Sequence, residues 1–181
     1  MFAVVDIETT GGNHTTGRIT EVACYVFDGQ KIVTEYETLV NPEIPVPPFI
    51  EQLTGITNKM VKDAPLFSEV AKDIAEVTAN KIFVAHNVNF DYNFLRMEFR
   101  KVNMDFKRKK MCTIQSARRV FPGLPSYSLG KLCRSLDIPL ENRHRAAGDA
   151  HATTLLLQKM MVELEERHGL FAGKVVDEYL T

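Results

Sequence analysis

Two carboxylates, Asp6 and Glu8, stand two residues apart at the end of an apolar run, in the segment AVVDIETTGG. If this run is a strand, both side chains point to the same face, because side chains alternate along a strand. At about 3.3 Å per residue they lie roughly 6–7 Å apart and repel by about 2–3 kcal/mol at an effective dielectric of about 20. A cation, a shared proton or solvent must offset this repulsion.

Two further acids and a histidine stand near the starts of predicted helices. Asp91 lies in AHNVNFDYNFL and Asp149 in HRAAGDAHAT, and His144 precedes Asp149 by five residues. Taken alone, each acid is explained by the helix dipole, which favours an anion in the first turn, and the histidine by a solvated loop. Sites in α/β sheets, however, gather at the carboxyl ends of parallel strands and at the helix starts beyond them. We therefore expect the four carboxylates to converge.

Four carboxylates at one point cannot all ionise without cations. Oxygen ligands favour Mg²⁺ or Mn²⁺ over zinc. Two such ions about 4 Å apart activate a water and stabilise a leaving oxygen in phosphodiester cleavage. A neutral histidine beside them is suited to be the general base near neutral pH. The pattern predicts metal-dependent phosphodiester hydrolysis.

Strands and amphipathic helices alternate along the chain and must position these residues. The opening forms a meander, since two extended runs follow the first strand and meet at the turn dipeptide Asp28-Gly29. Strands alternating with helices indicate an α/β fold with a mixed sheet, antiparallel in the meander and parallel through the crossovers. The predicted strands are three within residues 2–40 and two more over 81–85 and 111–114. The predicted helices cover residues 48–53, 66–79, 89–102, 114–120, 128–136, 147–167 and 171–180. Gly55 is expected to close the first of these helices, Phe90, Phe94, Leu95 and Met97 to face inward from the third, Ser128 to cap the fifth, and Gly169 to end the sixth.

The charge of the chain is unevenly distributed, although its net charge is only −1. Residues 100–145 contain 12 Lys/Arg and three Asp/Glu, so this segment carries +9 and the rest of the chain −10. Such a segment suits a polyanionic partner, and solvated helix faces are the alternative. The densest cluster is KRKK at residues 107–110.

Length, cysteine usage and hydropathy set the class of protein. A chain of 181 residues with 45% apolar residues is expected to be one domain with a real core. Three cysteines with no close pair fit a reducing compartment, so we expect a cytoplasmic protein. No apolar run approaches the roughly 20 residues that cross a membrane, and no membrane partner is expected.

Three motifs, DIETTGG, HNVNFDYNFL and HRAAGDAHAT, occur in an order that resembles the DEDDh-type 3′–5′ exonucleases. That superfamily includes the proofreading epsilon subunit of bacterial DNA polymerase III. The resemblance extends from Phe2 to about Arg167 and implies a ribonuclease H-like mixed five-stranded sheet flanked by helices. It also implies a single exonuclease domain over residues 1–181, either standing alone or forming the N-terminal part of a longer protein.

The resemblance assigns roles to the candidate residues. Asp6 resembles the aspartate that bridges two Mg²⁺ or Mn²⁺ ions, and Glu8 and Asp149 the other ligands of the first ion. Asp91 resembles the ligand of the second ion, and His144 the base that deprotonates the attacking water.

A second set of residues is implied to bind the substrate, and two other histidines are not. The implied contacts to the terminal nucleotide are Thr9, Thr10 and Gly11 along the backbone, Leu53 and Ile56 of QLTGIT against the base, and Asn87, Phe90 and His144 nearby. Ordinary core packing is the alternative for Leu53, Ile56 and Phe90, and a helix cap for Asn87. We interpret His86 as structural and His151 as a packing or solvent-exposed residue.

Three functions remain open at this point. The first is a 3′–5′ exonuclease that releases nucleoside monophosphates from the 3′ end of single-stranded DNA, alone or with a DNA polymerase or a covalently following domain. The second is an exoribonuclease of the same family that trims or degrades RNA, because contacts to the 2′-hydroxyl are not readable from these motifs. The third is a non-catalytic polymerase-docking module, which the complete ligand set disfavours.

Overall fold

The apolar run that carries Asp6 and Glu8 is the central strand of a five-stranded sheet. The computed structural model describes residues 1–168. In chain order the elements are β1 (Phe2–Thr9), β2 (Ile19–Phe27), β3 (Ile32–Leu39), α1 (Pro48–Thr54), α2 (Asn58–Lys62), α3 (Phe67–Val77), β4 (Ile82–Ala85), α4 (Val88–Lys101), β5 (Lys110–Cys112), α5 (Thr113–Val120), α6 (Leu129–Ser135) and α7 (Ala146–His168).

The sheet has the order β3-β2-β1-β4-β5. The pairs β1–β2 and β2–β3 are antiparallel, whereas β1–β4 and β4–β5 are parallel. The predicted α/β class and the predicted mixed sheet, a meander extended by parallel strands, are therefore confirmed. Parallel neighbours put the carboxyl end of β1 beside the end of β4, from which the chain enters α4.

Helices cover both faces of the sheet, which explains why β1 and β2 are apolar along most of their length. Ala3, Val5 and Ile7 of β1 pack with residues of α3 and α4, whereas Phe2 and Val4 pack with residues of α5, α6 and α7. The alternation of side chains therefore points Asp6 and Glu8 toward the face that α7 covers.

The middle of the chain follows the predicted elements closely. Gly55 ends α1 in the left-handed conformation with φ 73°, as the prediction of a helix closed there requires. In α4, Phe94 and Leu95 are buried as predicted, whereas Phe90 and Met97 are only partly buried.

Some local predictions differ from the structure. The five-residue helix α2 was not predicted, because little more than one turn gives no periodic signal; Thr57 caps it by accepting a hydrogen bond from the Met60 N–H. Ser128 precedes α6 as predicted, but its side chain makes no capping bond, and its Oγ lies 3.3 Å from Ser126 Oγ. The predicted helix over 171–180 and the predicted end at Gly169 lie outside the described residues. Within residues 1–168, no helix is long and apolar enough to cross a membrane.

Candidate active site

Three of the four predicted carboxylates meet at the end of β1. Asp6, Glu8 and Asp149 each contribute a carboxylate oxygen to a group in which these atoms lie within 4.8 Å of one another. A register shift between Glu8 and Thr9 interrupts the pairing with β2 at this point. Such irregularities often re-aim side chains next to active sites. The prediction that these residues converge, although they come from opposite ends of the sequence, holds for this group.

Asp91, the fourth carboxylate, is buried beside this group. Its Oδ1 accepts a hydrogen bond of 3.3 Å from the Ile7 N–H. The pairing of β1 with β4 ends at Val4, so Ile7 lies past the part of β1 that β4 covers. The first turn of α4 therefore satisfies a backbone donor that β4 is too short to reach. Because Ile7 is the residue after Asp6, the same hydrogen bond holds the Asp91 carboxylate close to Asp6.

Burial raises the pKa values of all four carboxyl groups, and at Asp6 and Glu8 the charges of neighbouring carboxylates raise them further. Burial is the largest cause at each, and it raises the pKa of Glu8 to about 8 and that of Asp91 to about 8. The pKa of Asp6 is raised well above its ordinary value by burial and then by the charge of Asp91. The pKa of Asp149 is also raised by burial. The fold thus holds together four groups that repel one another when ionised.

The donor set fits a hard divalent cation. All the gathered ligand atoms are carboxylate oxygens, which suit Mg²⁺ or Mn²⁺ better than softer metals. The Oδ1 atom of Asp149 is buried and has no hydrogen-bond partner in the part of the chain that the structure describes. A buried acceptor without a donor is costly, and a bound cation would satisfy it. The site can therefore hold a divalent cation.

His144 lies at the edge of this group, in the loop before α7. Its backbone N–H donates a hydrogen bond of 3.3 Å to Asp149 Oδ2, and its side chain is only partly buried. The residue has φ 62°, in the left-handed region that non-glycine residues rarely occupy. The surrounding contacts therefore hold the predicted base next to Asp149 in a backbone conformation that it would seldom adopt alone.

Glu21 and Arg145 support this loop, and their pairing was missed in the sequence. Glu21 lies on β2 directly opposite Glu8 and is 6% exposed. Its carboxylate binds the Arg145 guanidinium, with Nη2–Oε1 at 2.5 Å, and accepts a bond of 2.8 Å from the Ala146 N–H at the start of α7. The available signal was a single charge inside the apolar strand ITEVACYVF, because a buried charge must find a partner.

The backbone after Glu8 is fixed by hydrogen bonds within its own loop. Thr9 Oγ1 donates to the Gly11 carbonyl at 2.9 Å, and the Thr10 N–H donates to the Arg18 carbonyl at 2.9 Å. The Arg18 N–H in turn donates to Thr10 Oγ1. A Cβ atom added at Gly11 or Gly12 would meet nothing within 4 Å. Open space therefore lies beside the backbone along which the terminal nucleotide is predicted to bind.

The two residues predicted to pack against a base differ in exposure. Leu53, near the end of α1, is 51% exposed. Ile56 is fully buried in a small cluster with Val46, Ile50 and Val61, because the chain turns inward after Gly55. Leu53 thus offers apolar surface to a ligand, whereas Ile56 supports the core beneath α1.

The remaining predicted residues also differ in whether their side chains are exposed or buried. Asn87 is exposed in the left-handed conformation before α4, and its side chain makes no capping bond, so its amide remains available. Phe90 is partly buried against Phe94, with ring centroids 5.0 Å apart. His86 is structural, as interpreted: it bridges Thr113 Oγ1 and the Tyr127 carbonyl, and burial lowers its pKa to about 4. His151 is exposed and packs edge-on against Tyr25.

Comparisons with known proteins identify the family of this chain. The Exonuclease family model matches residues 3–157. The 3′-5′ exonuclease DinG of Staphylococcus haemolyticus is 39% identical over 166 residues, which are 91% of this chain and 18% of that protein. The PolC-type DNA polymerase III of Caldanaerobacter subterraneus subsp. tengcongensis is 38% identical over 165 residues, which are 91% of this chain and 12% of that protein.

A solved structure, Exonuclease X in complex with 5′ overhanging duplex DNA, superposes with a TM-score of 0.76 at 30% identity and covers 98% of both chains. The chain spans less than a fifth of the length of the two curated relatives described above. The family model matches most of the chain and includes all three motifs. The resemblance to the DEDDh-type exonucleases is therefore confirmed, and the chain belongs to the exonuclease family.

Proposed function

We propose that the chain is a 3′–5′ exonuclease that removes nucleoside 5′-monophosphates from the 3′ end of single-stranded DNA. The observation that carries this proposal is the group of Asp6, Glu8 and Asp149 oxygens within 4.8 Å, with a buried Asp149 oxygen that lacks a donor. The relatives named as 3′-5′ exonucleases and the DNA-bound Exonuclease X support the direction and the substrate.

Two divalent ions, Mg²⁺ or Mn²⁺, are the proposed cofactors. Asp6 would hold both, Glu8 and Asp149 would complete the first site, and Asp91 would belong to the second. When bound, such ions lower the pKa of water and neutralise charge that develops on the phosphate. Asp91 is already oriented by its bond from the Ile7 N–H, so its position does not depend on the ion.

His144 is the proposed general base. Its side chain is partly exposed, and its main chain is anchored to Asp149, one of the gathered carboxylates. It takes the proton from the attacking water as the water oxygen bonds to phosphorus and the P–O3′ bond breaks. The shortened strand leaves with a 3′-hydroxyl, protonated from solvent, and the released product is a nucleoside 5′-monophosphate.

The terminal nucleotide is proposed to lie over the backbone of Thr9, Thr10 and Gly11, and the open space beside Gly11 supports this. Leu53 is proposed to contact the terminal base, because it carries the exposed apolar side chain of the QLTGIT segment. Asn87 and Phe90 are proposed to contact the substrate from the start of α4. Ile56 acts indirectly in this arrangement, by supporting the end of α1.

The wider arrangement is also a proposal. The domain works as a nuclease module, either alone or beside a polymerase or further domain, as in relatives of which it covers only a part. The three cysteines are free and buried, which supports a reducing compartment, the cytoplasm.

The deciding experiment uses 5′-labelled single-stranded DNA and the RNA of identical sequence, each with Mg²⁺. Controls are EDTA and the Asp6→Ala variant. We expect a metal-dependent ladder that shortens from the 3′ end of DNA and is absent in both controls. A faster ladder on RNA would reassign the substrate. No ladder on either strand, with the protein folded and metal present, would contradict the enzyme and favour a docking module.

A further inference from the structure

A basic groove of about 820 Å³ runs along the outer face of α4. Five of its ten lining residues are Arg or Lys and only one, Asp105, is an acid. Along α4 the lining residues Tyr92, Arg96 and Arg100 follow at helical spacing, so they form one stripe. Eight residue steps of about 1.5 Å each give this stripe a length of roughly 12 Å.

Three of the cations in the groove are uncompensated. Arg96, Arg100 and Lys107 are exposed, and among the described residues none of their side chains has a hydrogen-bond or ion-pair partner. Arg96 and Arg100 are four residues apart on one helix, where like charges repel. Nothing in the fold accounts for placing them together, whereas an anionic ligand would.

The other side of the groove is more rigid. Lys110 Nζ donates a hydrogen bond of 3.0 Å to Asn89 Oδ1 and lies 5.0 Å from the centre of the Tyr92 ring. The Arg108 guanidinium lies 4.6 Å from the centre of the Phe106 ring. A lysine has three N–H donors, so Lys110 can still bind an anion while it holds Asn89.

The groove begins directly after the helical turn that carries an active-site carboxylate. Asn89, which binds Lys110, and Asp91, which lies beside Asp6, both belong to the first turn of α4. A helix is about 10–12 Å across, and stacked nucleotides rise about 3.4 Å each, so about three nucleotides separate the two faces of α4. A strand that leaves the site across the start of α4 thus reaches the groove.

We propose that this groove binds the sugar-phosphate backbone of the substrate strand, starting about three nucleotides upstream of the 3′ end. The proposal rests on the proposed exonuclease function. The stripe is long enough for about four phosphates of a stacked strand. Nucleic acid fits better than an acidic protein segment because the groove starts directly after the helical turn that carries Asp91, within reach of a strand held at the site, and contains three exposed cations without a partner in the described part of the chain.

The test compares the wild-type chain with the double variant Arg96→Gln/Arg100→Gln. The matched control is Lys31→Gln/Lys72→Gln, which removes two exposed cations from the turn between β2 and β3 and from α3. Binding of a labelled trinucleotide and of a DNA strand of about twelve nucleotides is measured in EDTA over a range of salt concentrations.

Each phosphate contact on a single strand contributes about 0.7 to the slope of log affinity against log salt. The groove variant loses two such contacts, so for the longer strand we expect the magnitude of its slope to be smaller by about 1.4. Between about 50 and 200 mM salt, the affinity of the groove variant should therefore fall by a factor about seven times smaller than that of the wild type. Trinucleotide binding and the control variant keep their wild-type slopes. An unchanged slope in the groove variant, or an equal change in the control, would overturn the proposal and leave an acidic protein as the occupant.

A second measurement separates this proposal from the proposed reaction. The nitrophenyl ester of thymidine 5′-monophosphate is too short to reach the groove, and its hydrolysis with Mg²⁺ reports the active site alone. We expect the groove variant to hydrolyse this ester at the wild-type rate. If the wild-type chain hydrolyses neither the ester nor DNA, the exonuclease function fails, while the salt dependence of binding still decides the groove.

Discussion

Glu21 and Arg145 form a bidentate ion pair between residues 124 positions apart in sequence, and the pair holds the start of α7 against β2. The Arg145 Nε lies 3.1 Å from both carboxylate oxygens of Glu21, and the Ala146 N–H donates to the same carboxylate. Small residues allow the close approach, since Ala146 and Ala150 pack directly on Ala23 and Tyr25. His144 and Asp149 flank this anchor in the sequence, so the pair positions both.

Replacing Glu21 should therefore lower both stability and turnover. Glu21→Ala leaves the Arg145 guanidinium and the Ala146 N–H without their acceptor, and we expect a loss of about 1–3 kcal/mol in the free energy of unfolding. Glu21→Gln keeps one acceptor oxygen and should lose less. We expect kcat to fall about tenfold in Glu21→Ala with KM little changed, because the proton acceptor is displaced while the nucleotide contacts remain.

Urea unfolding and steady-state kinetics check this prediction. The matched control is Glu43→Gln, which removes a half-exposed partner of Arg18 and should change neither quantity by much. An unchanged kcat in a destabilised Glu21→Ala variant would show that the pair serves only the fold.

The raised carboxyl pKa values predict a pH-dependent stability in the metal-free protein. The pKa of Glu8 is about 8 in the fold against an ordinary value of 4.5, so the folded state favours the protonated form. That contribution is present in acid and is lost as the pH rises through the folded value. We expect Tm in EDTA to fall between about pH 6.5 and 8.5, and Mg²⁺ to restore it.

The acid side needs a separate account, because the lowered pKa of His86 destabilises the fold below its ordinary value of 6.5. The window above about pH 6.5 therefore isolates the carboxylates. Asp6→Asn removes one of the repelling charges, and its Tm should depend less on pH in the same window. A metal-free Tm that rises toward pH 8.5 would contradict the proposed electrostatics.

Removing the imidazole of His144 should lower turnover without loss of the fold. General-base catalysis contributes about 10²- to 10⁴-fold, so His144→Ala should lose about that much in kcat. The acidic limb of the pH–rate profile, which reports protonation of the base, should also disappear. A variant that is slow but keeps this limb would assign the base to another group. The matched control is His151→Ala, which removes an exposed imidazole from α7, the helix that also carries Asp149.

Short patterns predicted most of the fold, because they report local physics. Continuous apolar runs marked β1 and β4, and helical periodicity marked α3 and α4 to within about two residues at each end. The carboxylates of the candidate site were also predictable, since Asp6, Glu8, Asp91 and Asp149 lie in motifs that span few residues. The Glu21–Arg145 pair could not be predicted, because neither residue lies in a motif that includes the other. Their contact depends on how α7 packs against β2.

The same limit explains Leu53 and Ile56, which are three residues apart in one predicted segment but play different parts. Only the left-handed turn at Gly55 decides that Ile56 points inward. Leu53→Ala should raise KM for a single-stranded DNA end with little change in stability. Ile56→Ala should cost about 2–5 kcal/mol in unfolding free energy, because it empties a fully buried site. Chemical unfolding and KM measurements on both variants check this, and the reverse pattern would contradict the proposed base contact of Leu53.

Gly148 is required by the close approach of the loop that leads to His144. A Cβ atom at this position would lie 2.2 Å from the Glu141 carbonyl oxygen and 2.6 Å from that of Asn142. In an unobstructed helix interior, glycine to alanine stabilises by about 0.8–1 kcal/mol. Here we expect Gly148→Ala to destabilise by about 1–3 kcal/mol and to reduce kcat, because the backbone at residues 141–142 must move and displaces His144. Gly12→Ala meets no atom within 4 Å and should leave stability unchanged. A Gly148→Ala variant that is more stable than the wild type would show that the loop before α7 is free to shift.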